Sequence, residues 1–142
     1  MRLELEVEGQ DARFTPPGDG ATLAAFLSFA VLRGFGAQHP LLALADRLHD
    51  RFHVKFGPLT TFYEAGPEDD EDREKLEQAW QEPGPLREAL EACACAMTSD
   101  EQCQALLRRA DATSLPAQAA SLAAPLLAAE QAGARVRMVY TL

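Results

Sequence analysis

The residues best suited to chemistry are two acids and two histidines within one short segment: Asp46, His49, Asp50 and His53. If this segment is helical, their spacing places the four side chains within about a 100° arc of the helix. Imidazole and carboxylate groups are ligands for zinc, iron or manganese, so the sequence predicts a candidate metal site. A catalytic metal usually takes ligands from more than one element. A solvated polar helix face is therefore the alternative, and we favour it.

A second candidate is an aromatic cluster that follows this helix. It contains Phe56, Phe62 and Tyr63 and is interrupted by Gly57 and Pro58. Loops carry many binding sites and aromatic side chains line many ligand pockets, so these residues are candidate ligand contacts. The alternative is that they cover the edge of the core. Segment 54–64 is compatible with a short strand pair, a loop or one helical turn.

The three cysteines indicate neither a disulfide framework nor a closed zinc site. Cys93 and Cys103 lie on apolar helical stripes and are predicted to be small core residues. Cys95 points away from Cys93 on the same helix. An exposed, redox-sensitive thiol is its functional alternative.

An acidic run, 68–72, precedes another predicted helix. Between Glu64 and Glu82 there are nine acids and only two basic residues, Arg73 and Lys75. Acids stabilise the first turn of a helix because its free N–H groups carry partial positive charge. The run lacks the spacing and central glycine of a calcium loop. A solvated helix start is the favoured interpretation, and attraction of a basic partner is the alternative.

The last predicted helix, roughly 115–132, has an unusual outer side. Its inner stripe contains Leu115, Ala119, Leu122, Leu126 and Ala129. The opposite side contains Ala117, Ala120, Ala124 and Ala128. Solvent-facing positions usually carry Lys and Glu, and exposed apolar strips often mark interfaces. Unless another part of the chain covers this strip, it predicts self-association, with a homodimer favoured.

These candidates depend on a sheet built from the two ends of the chain. Segment 2–8 alternates strictly, and Gly9-Gln10 predicts a hairpin turn that pairs Leu5 with Phe14 and Glu6 with Arg13. Residues 135–142 have strand propensity, and a hairpin alone is marginal. We therefore predict that the last strand lies beside the first, with Arg135 and Arg137 near the glutamates of the solvent-facing side. Its direction is left open.

Helices are predicted between the hairpin and the last strand. Thr22 is the expected cap of a buried helix that runs to about residue 33, where Gly34 and Gly36 end it. A second helix follows Pro40. Its predicted inner stripe consists of Leu41, Leu44, Ala45, Leu48 and Phe52.

Three further helices are expected after the acidic run. The first ends near Trp80, and the second follows Pro85. Ser99 with Gln102 is a candidate capping box for the third. Pro125 should bend or interrupt the last helix, because its ring removes a backbone hydrogen bond.

The whole-chain properties predict one α+β domain over residues 1–142: a small, mostly antiparallel sheet covered by five or six helices. The formal charge is −9, which disfavours nucleic acid and anionic membrane surfaces as partners. The longest apolar stretch, 23–32, is about half the length that a membrane helix needs. No signal-peptide pattern precedes it, so we expect a cytoplasmic protein.

No catalytic motif stands out. The leading hypothesis is a non-enzymatic protein that acts through protein–protein contacts, as an adaptor, subunit or regulator. The second is a small-molecule or metal-binding domain that uses the 56–63 aromatic segment or the Asp46/His49/Asp50/His53 helix face. The third is an enzyme whose residues converge from separate elements. No particular cofactor is indicated.

Overall fold

The computed structural model describes residues 1–33, 38–66 and 68–142, and in them a sheet packs against a set of helices. The strands are β1 (Arg2–Val7), β2 (Arg13–Phe14), β3 (Phe62–Glu64) and β4 (Val136–Thr141). The α-helices are α1 (Ala21–Val31), α2 (Pro40–Asp50), α3 (Asp70–Glu77), α4 (Pro83–Ser99), α5 (Glu101–Arg109), α6 (Leu115–Ser121) and α7 (Ala123–Gln131). Short 3-10 helices span Pro17–Gly20 and Pro58–Thr60. The predicted α+β class is confirmed.

The two ends of the chain meet in the middle of the sheet, whose strand order is β2-β1-β4-β3. The hairpin has the predicted register, with Leu5 opposite Phe14 and Glu6 opposite Arg13. β4 is antiparallel to β1, which gives the direction that the sequence left open. β3 lies parallel to β4 at the far edge, so segment 54–64 forms a 3-10 turn followed by one strand.

One face of the sheet belongs to the hydrophobic core. Leu5 is opposite Met138 and Leu3 is opposite Tyr140, so apolar side chains are paired across β1 and β4. Leu3, Leu5 and Met138 are almost completely buried and join one core cluster with the inner residues of the helices. Helix α1 contacts β1, and α4 packs against α6 and α7. The helices therefore cover this side of the sheet.

The opposite face is less exposed than predicted. Arg137 Nε donates to Glu6 Oε2 at 2.8 Å, and the Arg137 guanidinium lies 4.2 Å from the centre of the Trp80 ring. A second nitrogen of Arg137 donates to the Leu76 carbonyl at 2.9 Å. Glu6 is consequently only 8% exposed. The end of α3 and Trp80 cover this ion pair, whereas Arg135 and Glu8 form an exposed pair at the margin.

Helix α1 is capped from a distant part of the chain, which corrects the predicted Thr22 cap. The N-cap is Gly20, and Thr22 instead shares a hydrogen bond with Ser114. The Leu23 amide donates to Oε1 of Gln118 at 2.9 Å, and Gln118 is only 3% exposed. The predicted helix ending at Gly34 and Gly36 lies outside the described residues.

Helix α5 is also capped differently from the prediction. Asp100, not Ser99, is the N-cap, because its carboxylate accepts from the Cys103 amide at 2.9 Å. The same carboxylate receives two hydrogen bonds from Arg47, at 2.7 and 2.9 Å. Helix α2 is thereby joined to the start of α5. Ser99 bonds back to the Cys95 carbonyl within α4.

Several helix ends differ from the predictions, since α3 ends at Glu77 and α4 begins at Pro83. Helix α2 ends at Asp50, and Phe52 is 37% exposed, so Phe52 is not part of the inner stripe. The last predicted helix is divided into α6 and α7 at Leu122, three residues before Pro125. This break follows from proline chemistry, because the ring of Pro125 cannot donate a backbone hydrogen bond and crowds the preceding turn.

Replacing Gln118 with Leu should lower the free energy of unfolding by about 1–3 kcal/mol, because the Leu23 amide would stay buried without an acceptor. Urea unfolding of wild type and variant measures the difference. Gln102→Leu is the matched control, since Gln102 is exposed on α5. Equal stabilities of the two variants would contradict this role of Gln118.

The Arg47–Asp100 contact should make stability depend on pH in the acid range. Hydrogen bonds from Arg47 and from the Cys103 amide hold the pKa of Asp100 well below its ordinary value. This stabilisation is present above the unfolded-state pKa, about 3.9 for Asp, and is lost as pH falls towards the lowered folded-state value. Asp100→Asn keeps a capping oxygen but lacks the charge.

The stability gap between wild type and Asp100→Asn should therefore be largest above about pH 5 and shrink as the pH falls further. Urea unfolding at a series of pH values measures this gap. A gap that stays constant across the acid range would show that the carboxylate charge contributes nothing.

Candidate functional site

The residues of the predicted metal site are only partly brought together. Asp46, His49 and Asp50 lie on α2, but the helix ends before His53, which adopts a left-handed backbone with φ 55°. His49 Nδ1 and Asp50 Oδ1 are 2.8 Å apart. Within the described residues, no three His, Cys, Asp or Glu side chains are grouped closely enough to hold a metal ion. The metal site remains a prediction from sequence alone.

Asp46 borders a different cleft, near the start of α2. This cleft, of about 310 Å³, is also lined by His39 and Arg109. His39 caps α2, because its Nδ1 accepts from the Leu41 amide at 3.1 Å. Its ring stacks on Phe29 with 4.1 Å between centroids. His39 is therefore held in place by the start of the helix, and Asp46 is the acidic group on this side of α2.

The three aromatic residues of the predicted ligand site lie in three different surroundings. Phe56 is 6% exposed, and its ring packs 6.5 Å from that of Phe26. Phe62 contacts the ring of Tyr140 edge-on at 5.7 Å. Tyr63 is 39% exposed and borders a polar cleft beside α3. They do not form one aromatic pocket.

Phe56 instead forms the floor of a cleft with basic walls. We call this the cationic cleft; it measures about 370 Å³, and its polar side chains are Arg33, His49, His53 and Lys55. The Arg33 guanidinium lies 5.4 Å from the centre of the Phe56 ring, and the His49 ring lies 6.0 Å from it. One buried ring thus contacts side chains from the ends of α1 and α2.

Sequence reasoning identified the histidines of the cationic cleft as candidate metal ligands, with a solvated helix face as the favoured interpretation. It missed Arg33, which only the tertiary fold brings beside α2, and Lys55, which lies in the chain just after α2. The sequence feature that could have indicated this cleft is the excess of basic side chains around the end of α2. The nearby residues Arg47, Arg51 and Lys55 outnumber Asp50 in this stretch.

The cysteines have the burial predicted for them. Cys93 and Cys103 are buried and Cys95 is exposed. Burial raises the pKa of Cys93 to about 12 and that of Cys103 to about 11. Both buried thiols therefore stay protonated and unreactive near neutral pH.

The acidic run forms a solvated helix start. Asp69 is the N-cap of α3, because its carboxylate accepts from the Asp72 amide at 2.8 Å. No residue of α3 is buried. Surface ion pairs such as Lys75 with Glu71, at 3.5 Å, neutralise part of the negative charge. The acidic run is therefore explained structurally, as the capped and hydrated start of a helix.

The alanine strip on α6 and α7 is not covered by the described part of the chain. Ala117, Ala120, Ala124 and Ala128 are all exposed. Leu127 lies among them and is 42% exposed. We call these five residues the alanine face.

Two further features surround the alanine face. The sequence from Ala112 to Ala129 contains no charged residue. Pro125 and Ala128 also border a cleft of about 280 Å³ against the β1–β2 hairpin, where Val7 and Phe14 line the other side. Arg13 also lines the hairpin side of this cleft, so the uncharged surface of the helices ends at the edge of the sheet.

The chain matches no family model, no curated protein and no solved structure in the comparisons made with known proteins. In the described ranges, no helix is both long enough and apolar enough to cross a membrane.

Iodoacetamide should modify one cysteine of the native protein, Cys95, because the other two thiols are buried. Mass spectrometry of the labelled protein measures the number of modified cysteines and their positions. Cys95→Ser should leave the native protein unlabelled until denaturant is added. Rapid labelling of Cys93 or Cys103 without denaturant would contradict the burial described here.

Proposed function

We propose that this chain is a non-enzymatic cytoplasmic protein that acts through protein–protein contacts, as an adaptor, subunit or regulator, and that it self-associates through the alanine face. The observation that carries the proposal is the exposure of Ala117, Ala120, Ala124 and Ala128 together with Leu127. An apolar helix face without charged residues interacts weakly with water. Covering it with another surface lowers the free energy, because apolar area is removed from water.

The size of the side chains supports a helical partner. Alanine places little bulk between two helices, so two backbones can approach closely along the face. Leu127 adds a larger apolar side chain at one point of the strip. Such a surface matches a second apolar helix better than it matches a small polar ligand.

The charge distribution supports a second copy as that partner. Two chains of charge −9 repel each other over most of their surfaces. The region from Ala112 to Ala129 is uncharged, so contact there brings no carboxylate against another. Symmetric dimers commonly use the same patch on both subunits. These two features support a homodimer built on the alanine face.

The second candidate function is small-molecule binding. Phe56, Phe62 and Tyr63 do not share a pocket, so the observation that favours this function is the cationic cleft above Phe56. The Asp46, His49, Asp50 and His53 metal site stays a prediction, because among the described residues no third ligand is grouped with His49 and Asp50.

Self-association should be abolished by a charge placed in the alanine face. Light scattering on the wild type at high concentration should give twice the chain mass of 15.4 kDa. Ala120→Arg on α6 and Ala128→Arg on α7 should each shift the protein to monomer, because an arginine would be desolvated at the contact.

Ala92→Arg is the matched control, since Ala92 is an exposed alanine on α4 and is not part of the alanine face. This variant should remain dimeric. A wild-type protein that is strictly monomeric at high concentration would refute the self-association proposal, and equal dissociation of the Ala92→Arg control would refute the assignment to the alanine face.

A further inference from the structure

The cationic cleft contains two permanent positive charges that no carboxylate neutralises. Most basic side chains of the chain lie within 4.0 Å of an acidic group, as Arg137 does with Glu6. Among the described residues, neither Arg33 nor Lys55 has such a partner, and the residues outside that description carry no acidic side chain. In a protein of net charge −9, the cleft is thus a local site of the opposite sign.

The Arg33 side chain is held at the cleft with one of its nitrogens buried and without a partner among the described residues. Its guanidinium packs over Phe56, which is fixed in turn by contact with Phe26. The Arg33 Nε atom is buried and has no hydrogen-bond partner among the described residues. Buried polar groups are rarely left without a partner, and those that are call for an explanation.

The backbone turns sharply to bring His53 and Lys55 to the same place. After α2 ends, His53 adopts φ 55°, and the Val54 amide donates back to the Leu48 carbonyl at 3.0 Å. Glycine adopts this left-handed conformation without strain, whereas histidine does not. The reversal places His53 and Lys55 beside His49, and Asp50 holds the His49 ring through its Nδ1 atom.

We propose that the cationic cleft binds a small ligand through a phosphate group. A phosphate monoester is close to a dianion at neutral pH, which matches the two permanent charges of Arg33 and Lys55. Guanidinium, ammonium and imidazole N–H groups donate strong hydrogen bonds to phosphate oxygens. The cleft, of about 370 Å³, is large enough for one phosphate group and a small organic body over Phe56.

If the basic side chains of the cationic cleft had a purely structural role, a different experimental result would be expected. Arg33 follows the end of α1, and His53 and Lys55 follow the end of α2. Positive groups near helix C-termini stabilise the partial negative charge of the free carbonyls. If that is their whole function, Arg33 or Lys55 variants lose stability and phosphate has no effect on any form of the protein.

The test is an NMR titration of the full chain with inorganic phosphate and with phenyl phosphate, at constant ionic strength maintained with sodium chloride. Chemical shift changes should concentrate in the amides around His49, His53 and Phe56. Arg33→Gln and Lys55→Gln should each weaken binding about tenfold or more, since a charge-assisted hydrogen bond is lost. Arg108→Gln is the matched control, because Arg108 is an exposed arginine outside the cleft.

A second variant keeps the test valid if Arg33→Gln fails to fold. His53→Gly relieves the left-handed strain, so it should fold at least as stably as the wild type while phenyl phosphate binding weakens several-fold. Vesicles containing phosphatidic acid distinguish a membrane phosphate from a soluble one. Retention on vesicles without any effect of phenyl phosphate would overturn the proposal for a small ligand.

No shift change in the cleft with either soluble phosphate would also overturn it, as would equal weakening by Arg108→Gln. The inference does not depend on self-association. Repeating the titration on Ala120→Arg should give the same affinity as the wild type, because the alanine face and the cationic cleft share no residue.

Discussion

The pairing of β1 with β4 is the constraint on which the rest of the structure depends. It joins the first and last segments of the chain, so every described helix lies within the loop that this pairing closes. On one face it supplies Leu3, Leu5 and Met138 to the core. On the other it aligns Glu6 with Arg137 beneath Trp80. Because this ion pair is mostly removed from water, the loss of Arg137 would leave the Glu6 carboxylate with only the more exposed Arg13, at 3.2 Å.

Sequence patterns predicted the local features of this sheet and failed where distant contacts decide. The hairpin register followed from alternation and a turn between adjacent segments. The direction of β4 did not, because either direction brings arginines near glutamates. β3 has only three residues and is held by its pairing with β4, not by a pattern of its own. The cap from Gln118 to Leu23 spans 95 positions, which no local motif encodes.

The candidate sites show the same limit of sequence-based prediction, which does not extend to contacts between distant parts of the chain. The alanine strip was visible in the sequence because one helical period defines it, and the residues do lie exposed on α6 and α7. The interpretation of His49 and His53 required knowledge of their neighbours. Helix α2 ends at Asp50, the chain reversal keeps His53 beside His49, and the fold adds Arg33 and Lys55 to the same cleft.

The net charge of the chain therefore does not describe the local charge at each part of its surface. Electrostatic interactions in physiological salt decay over about 8 Å, so a ligand in a cleft responds mainly to the groups around it. An extended nucleic acid would meet many of the acidic side chains of this protein, whereas one phosphate beside Arg33 and Lys55 meets mainly the groups of the cleft. A net charge of −9 thus argues against polyanions without arguing against a single bound anion. The uncharged face on α6 and α7 allows contact between two copies of the chain for the same reason. Repulsion between two copies also depends on the charges that come close together.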